Sequence, residues 1–138
     1  MSTHTSRDCG KKFFDCLDRR DLDGMTALFA PDAKFHGFAP QPLDREGVRA
    51  AMSEFFSAFP DSRMPTDDII AEEDRVAIRH SFRGTHKALF QDIPATDKAV
   101  VITGITTLKV MDGKVIEGWL NADMVGLLQQ LGMIPQPS

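Results

Sequence analysis

The chain is short of the features that announce a chemistry at a glance. No apolar run approaches membrane-spanning length, and no positively charged start is followed by an apolar signal segment. A membrane partner is therefore not expected, and a cytoplasmic location is. Only two cysteines occur, Cys9 and Cys16. On one helix they stand two turns apart, about 10 Å along the axis, which is beyond disulfide reach. They read as small buried apolar residues in a reducing compartment.

Excess positive charge is missing as well. The formal net charge of −4 gives no electrostatic reason to bind nucleic acid or an acidic membrane. The basic pairs Lys11-Lys12 and Arg19-Arg20 share a helix with Asp15 and Asp18, the pattern of a solvated face. There is no Gly-rich phosphate loop and no nucleophile-elbow serine. His36, His80 and His86 lack i, i+4 spacing and paired cysteines, so a metal site is not expected. Internal repeats and low-complexity segments are absent too.

What is present is an ordinary globular composition, 42% hydrophobic and 26% charged over 138 residues. That length supports one domain with a real core, spanning residues 1–138 with ends at 1–5 and 133–138 expected to be flexible. Ser6 is placed to cap a first helix running to about Arg20, with Cys9, Phe13, Cys16 and Leu17 on its apolar face. A short second helix, Met25 to Phe29, should stop at Pro31. Lys34 to Phe38 reads as a short strand, in which His36 and Phe38 share a face unless Gly37 forms a bulge. Asp44 caps a third helix striped by Val48, Met52, Phe55, Phe56 and Phe59 and ended by Pro60.

The period then changes from 3.6 to 2. Met64 to Glu72 is a strand candidate. Arg75 to Thr85 alternates Val76, Ile78, His80 and Phe82 with Ala77, Arg79, Ser81 and Arg83. His86 to Asp97 is a loop, and Val100 to Val110 a long strand. Asp112-Gly113 is a favoured two-residue hairpin turn into a strand from Lys114. The stretch from Val115 to Leu120 carries the single tryptophan, Trp119. Asp123 marks the joint to a closing helix, whose Met124, Leu127, Leu128 and Leu131 keep helical spacing up to Gly132.

Helices first, then an antiparallel meander, then one closing helix predict an α+β fold with the helices on one face of a curved sheet. Such a cone has a core at its closed end and a pocket at its open end. The other sheet face is half apolar, with Val101, Ile105 and Ala77 opposite in parity to Ile102, Leu108 and Ile78. That implies a partner, most simply a second copy in a homodimer.

Four stretches resemble a known family. They are Ala27-Leu-Phe-Ala-Pro-Asp-Ala33, Phe82-Arg-Gly-Thr-His86 with Ile93-Pro-Ala-Thr96, Met111-Asp-Gly-Lys-Val-Ile-Glu-Gly-Trp119, and Asp123-Met-Val-Gly-Leu-Leu-Gln-Gln-Leu-Gly132. Together they are similar to the SnoaL-like polyketide cyclases, within the nuclear transport factor 2-like (cystatin-like) superfamily. The resemblance implies a cone-shaped fold and an aspartate at Asp123 serving as acid/base in an intramolecular aldol-type ring closure, without cofactor or metal. It also places a histidine on the preceding long strand, where this chain has Thr106.

Each candidate has two readings. A carboxyl in an apolar pocket has its pKa raised and suits proton transfer. Asp123 also stands where an N-cap is favoured, and a cap lowers the pKa. Trp119 is a platform for a ring-bearing ligand or a core residue, and Glu117 and Asn121 share its parity. His80, between Ile78 and Phe82, is a bonded core histidine or a polar group in the cavity. His36 has the same two readings, and His86 is a mouth residue or a turn residue. Phe38, Phe55, Phe59, Phe82 and Thr106 are expected as pocket wall.

The functional expectation is a cofactor-free cyclase, isomerase or lyase. It would act on a small hydrophobic carbonyl ligand, with Asp123 as acid/base and His36 and His80 as auxiliary polar groups. The alternatives are a noncatalytic domain of the same fold that binds a small hydrophobic ligand, and a dimerisation module with a filled cavity.

Overall fold

The computed structural model of the chain describes residues 3–135; Met1, Ser2 and the last three residues of the expected flexible ends lie outside the described residues. The elements are α1 (Thr3–Asp18), α2 (Leu22–Ala27), β1 (Phe29–His36), α3 (Arg45–Ala58), β2 (Thr66–Glu72), β3 (Arg75–Thr85), β4 (Ala99–Met111), β5 (Lys114–Ala122) and α4 (Met124–Gln130). The five strands form one sheet in the order β1-β5-β4-β3-β2. β2 to β5 are an antiparallel meander, and β1 joins β5 in parallel. The sheet is curved and unclosed, with the helices gathered against it, so the expected α+β cone is the observed fold.

Local chemistry explains the boundaries. Asp44 caps α3 by accepting a hydrogen bond from Gly47 N at 2.8 Å. The β4–β5 hairpin turns at Asp112 and Gly113, whose φ values of 52° and 74° are those of the favoured turn. α1 starts at Thr3, so Ser6 lies inside the helix, where its Oγ donates to Glu73 O. α2 starts earlier than the pattern predicted because Asp21 caps it, accepting from Gly24 N at 2.9 Å. It ends before Phe29, and Pro31 sits within β1 instead of stopping a helix. β1 is an edge strand whose register shifts between Phe29 and Lys34, and both features accommodate a proline.

The core lies between the helices and the inner sheet face. Phe13, Phe29 and Phe35 meet there at centroid separations of 5.4 to 6.4 Å. The Arg19-Arg20 pair is not simply solvated. Arg20 reaches the C-terminal end of α3, donating to the carbonyls of Phe56, Phe59 and Pro60 and lying over the Phe56 ring. A cation there satisfies the helix's last carbonyls. Asp18 is also engaged, accepting two bonds from the Arg63 guanidinium and one from Met64 N. Those contacts, the Arg63 bonds foremost, hold its carboxyl below the usual carboxylate range. Cys9 and Cys16 are buried free thiols, and burial pushes both thiol pKa values up.

Candidate active site

A cavity of about 130 Å³ opens between the helices and the inner face of the sheet. α1 contributes Phe13, Phe14 and Leu17, and α3 contributes Val48, Met52 and Phe55. The sheet side is made by Phe35, His80, Phe82, Ile102, Thr106 and Leu120. Phe38, Gln91, Ala122 and Met124 also line it, as do Met25, Gly37, Met64 and Thr103. Among the described residues that line it, His80 is the one whose side chain could carry a charge. The space is about that of one aromatic ring. Four of the lining residues are methionines, Met25, Met52, Met64 and Met124, whose unbranched side chains repack readily around a larger guest.

His80 is the centre of this wall. It is 5% exposed, and its ring lies 4.5 Å from that of Phe14. Its Nε2 is 2.8 Å from Thr106 Oγ1, and its Nδ1 is buried without a hydrogen-bond partner. Burial among apolar groups pushes its pKa down to about 4, against a weaker opposing pull from Asp67. The imidazole is therefore neutral at pH 7. Together His80 and Thr106 present an uncharged nitrogen–hydroxyl pair to an apolar space. The spacing also suits a hydroxyl and its general base, but Nδ1 has no group to orient it, and the nucleophile triad lacks its third member.

Asp123 is exposed at the joint of β5 and α4, and its Oδ1 accepts from Gly126 N at 2.9 Å. That is the cap geometry. Its neighbours Ala122 and Met124 line the cavity while Asp123 itself does not, so the carboxylate stands at the rim.

Of the other sequence candidates, Phe38, Phe55, Phe82 and Thr106 line the cavity with His80. His36, Trp119 and Asn121 do not. They lie on the opposite sheet face, where the His36 and Trp119 rings stack at 5.6 Å and His36 Nε2 meets Glu117 Oε2 at 2.8 Å. Two irregularities put them there. The β4–β5 register jumps from Lys109↔Glu117 to Val110↔Val115, so Ile116 is an extra residue that reverses the parity of β5. Gly37, at φ 109°, breaks β1 so that Phe38 turns inward to Phe35 while His36 faces out. A side chain at Gly37 would stand 2.1 Å from Leu120 O, so the close approach requires glycine.

Phe59 and His86 are fully buried beside the cavity, not in its wall. His86 Nδ1 accepts from Thr96 N, and the ring packs 5.4 Å from Phe59. This anchors the 86–98 loop, whose Phe90 wedges against Phe55 and Phe59 and sets Gln91 at the cavity. The sequence signal for Gln91 is faint, an apolar Phe90 inside a polar loop. That for Phe14 is its adjacency to Phe13, two large apolar residues in a row on a helix covered from two sides. Among the described residues no group of three or more histidine, cysteine or acidic side chains is placed to hold a metal ion.

A family model described as SnoaL-like polyketide cyclase matches residues 7–131. Among solved structures, AclR of Streptomyces galilaeus, described as a candidate hydroxylase, is 29% identical with a TM-score of 0.89, over 97% of this chain and 100% of that one. IdmH of Streptomyces antibioticus, described as a candidate polyketide cyclase, is 32% identical with a TM-score of 0.82, over 92% and 98%. TsrD of Streptomyces laurentii, 23% identical with a TM-score of 0.84 over 97% and 99%, shares the fold. No curated protein sequence matches the chain.

Proposed function

We propose, from the premise that the chain belongs to the SnoaL-like polyketide cyclase family, that it is a cofactor-free cyclase or isomerase acting on a hydrophobic carbonyl compound. The observation that carries this reading is the neutral His80–Thr106 pair set in the wall of an apolar cavity. Because AclR and IdmH carry different descriptions on one fold, the reaction is argued from the site and not from the likeness.

Aldol-type ring closure removes a proton beside one carbonyl and joins that carbon to a second carbonyl carbon. The second oxygen then takes up a proton. Atoms balance without any other reactant. The wall is mostly apolar, and the His80–Thr106 pair offers a hydrogen bond to the oxygen on which negative charge develops. Asp123, at the rim between cavity-lining Ala122 and Met124, is the group in this reading that takes the first proton and returns it. A ligand of more than one ring extends from the cavity towards that rim.

Exchange of the methyl hydrogens of acetophenone in heavy water, followed by proton NMR, tests the reading without knowledge of the natural substrate. Acceleration over buffer, lost in Asp123→Asn, supports it. A general base of this kind contributes roughly 100- to 10,000-fold. Binding without acceleration selects the second reading, a noncatalytic binding domain. One observation favours that reading: Asp123 is exposed and engaged as the α4 cap.

Two further expectations belong to the proposal. The outer sheet face pairs with a second copy of the chain, since Ile70 and Ile105 are 68% and 48% exposed on it. The protein works in the cytoplasm, where its buried free thiols stay reduced; no helix among the described residues is long and apolar enough to cross a membrane.

A further inference from the structure

The hydrogen bond between His80 and Thr106 has two possible directions, and they make different sites. If the ring proton sits on Nδ1, Thr106 donates to Nε2 and offers a ligand only lone pairs. If it sits on Nε2, the ring donates to Thr106 Oγ1, and the threonine O–H is released to point at a ligand.

Three features of the wall bear on the choice. Nδ1 is buried and has no acceptor within reach, so a proton there would be a sealed, unpaired donor. The Phe14 ring cannot serve as its partner. It lies 4.5 Å away and only 32° from parallel, so an N–H in the imidazole plane does not point at the Phe14 face. Finally, the ring has little room to turn. A Cβ at Gly104, its register partner, would stand 3.2 Å from His80 Cε1, while Phe14 covers the ring from α1.

We infer that His80 and Thr106 form a relay of fixed polarity, in which His80 Nε2–H donates to Thr106 Oγ1 and the Thr106 O–H is the donor that the pair presents to a ligand carbonyl. Thr106 is then the residue that touches the ligand, and His80 is a positioning residue behind it. This rests on the reading of the cavity as the ligand site and narrows the ligand class. The cavity takes an uncharged segment about one ring wide that carries a carbonyl acceptor. Among the described residues its wall has no cationic side chain to pair with a carboxylate or phosphate, and no anionic one to pair with an amine.

The test has one arm on the free protein and one on a bound probe. Nitrogen-15 NMR of the His80 ring, assigned by its absence in His80→Gln, should show Nε2 protonated and Nδ1 bare at pH 7; the opposite pattern overturns the polarity. With carbonyl-labelled acetophenone bound, the infrared carbonyl stretch should lie lower than in a hydrocarbon solvent. The shift should vanish in Thr106→Val and return in Thr106→Ser. Acetophenone affinity should fall roughly fivefold in Thr106→Val, the loss of one neutral hydrogen bond. Ethylbenzene affinity should not change, and benzoate should not bind. An unshifted carbonyl in the wild-type complex overturns the relay, as does an equal loss of acetophenone and ethylbenzene, which would mean packing alone. If acetophenone fails to bind, the cavity reading falls and takes the carbonyl contact with it, whereas the nitrogen shifts still decide the polarity. If acetophenone binds with the shifted stretch but exchanges no hydrogens, the relay stands and only the catalytic reading fails.

Discussion

His80 meets Thr106 along a diagonal. Their strands pair β3 with β4 so that Ile78 faces Thr106 and His80 faces Gly104, yet His80 Nε2 lies 2.8 Å from the threonine hydroxyl two residues along. Such diagonal neighbours on one sheet face are within reach of long side chains. The missing side chain at Gly104 leaves the ring its slot.

Gly104→Ala should therefore disturb the site through space alone. The new Cβ would stand 3.0 Å from Asn121 O and 3.2 Å from His80 Cε1, so the backbone or the ring must give way. Overpacking of this kind costs about 1–3 kcal/mol. Urea unfolding should show that loss, and the His80 ring nitrogens should change their shifts. Wild-type stability with unchanged ring signals would show that the slot is not tight.

Buried His80 should also make stability depend on pH. Its pKa is about 4 in the folded protein against an ordinary 6.5. As pH falls below 6.5 the unfolded chain takes up the proton first, so it binds more protons than the folded state throughout the window down to about 4. Stability from this group is thus complete above 6.5, declines as pH falls, and is lost once pH has passed through about 4. The whole effect is about 3 kcal/mol, with the attraction of Asp67 already opposing it. Urea midpoints across this range should slope more steeply in the wild type than in His80→Gln. Superimposed profiles would mean that the ring is charged at no cost.

The elements were legible in the sequence wherever period and turn chemistry agreed. The predicted span Arg75 to Thr85 is that of β3, and Asp112-Gly113 is the observed hairpin. Parity groups residues by face, but an inserted residue reverses it silently. Val115 is buried and Trp119, four positions on, faces the other side, because the extra Ile116 intervenes. The joint at Asp123 was visible, but its side-chain direction was not, since a cap and a cavity acid have the same sequence context. His80 and Thr106 lie 26 positions apart, and only the strand register brings them into contact.

Asp123 can be separated into its two possible roles by two substitutions. Asparagine keeps a side-chain oxygen for Gly126 N, whereas alanine does not. Asp123→Ala should cost about 1 kcal/mol in urea unfolding, and Asp123→Asn much less. If Asp123 also moves protons, both variants should lose acetophenone exchange equally despite their different stabilities. Exchange that follows stability instead would leave the residue only its cap.

The outer sheet face yields the last prediction. Register partners lay out one row across all five strands, His36, Trp119, Thr107, Ala77 and Ile70. Arg75 lies over the Trp119 ring at 5.7 Å, and the His36 ring stacks on the same tryptophan at 5.6 Å. Beside this row Ile105 is 48% exposed, flanked in register by Asn121 and Arg79. A stable pairing of copies needs about 800 Å² from each, more than scattered single apolar residues supply, so the row must be buried as a unit. Sedimentation at micromolar concentration should give a dimer for the wild type and a monomer for Ile105→Lys with an unchanged circular dichroism spectrum. The cavity lies on the other face, so acetophenone binding should survive in the monomer. A wild-type monomer at all concentrations would remove the partner from the proposal and leave the ligand site as it stands.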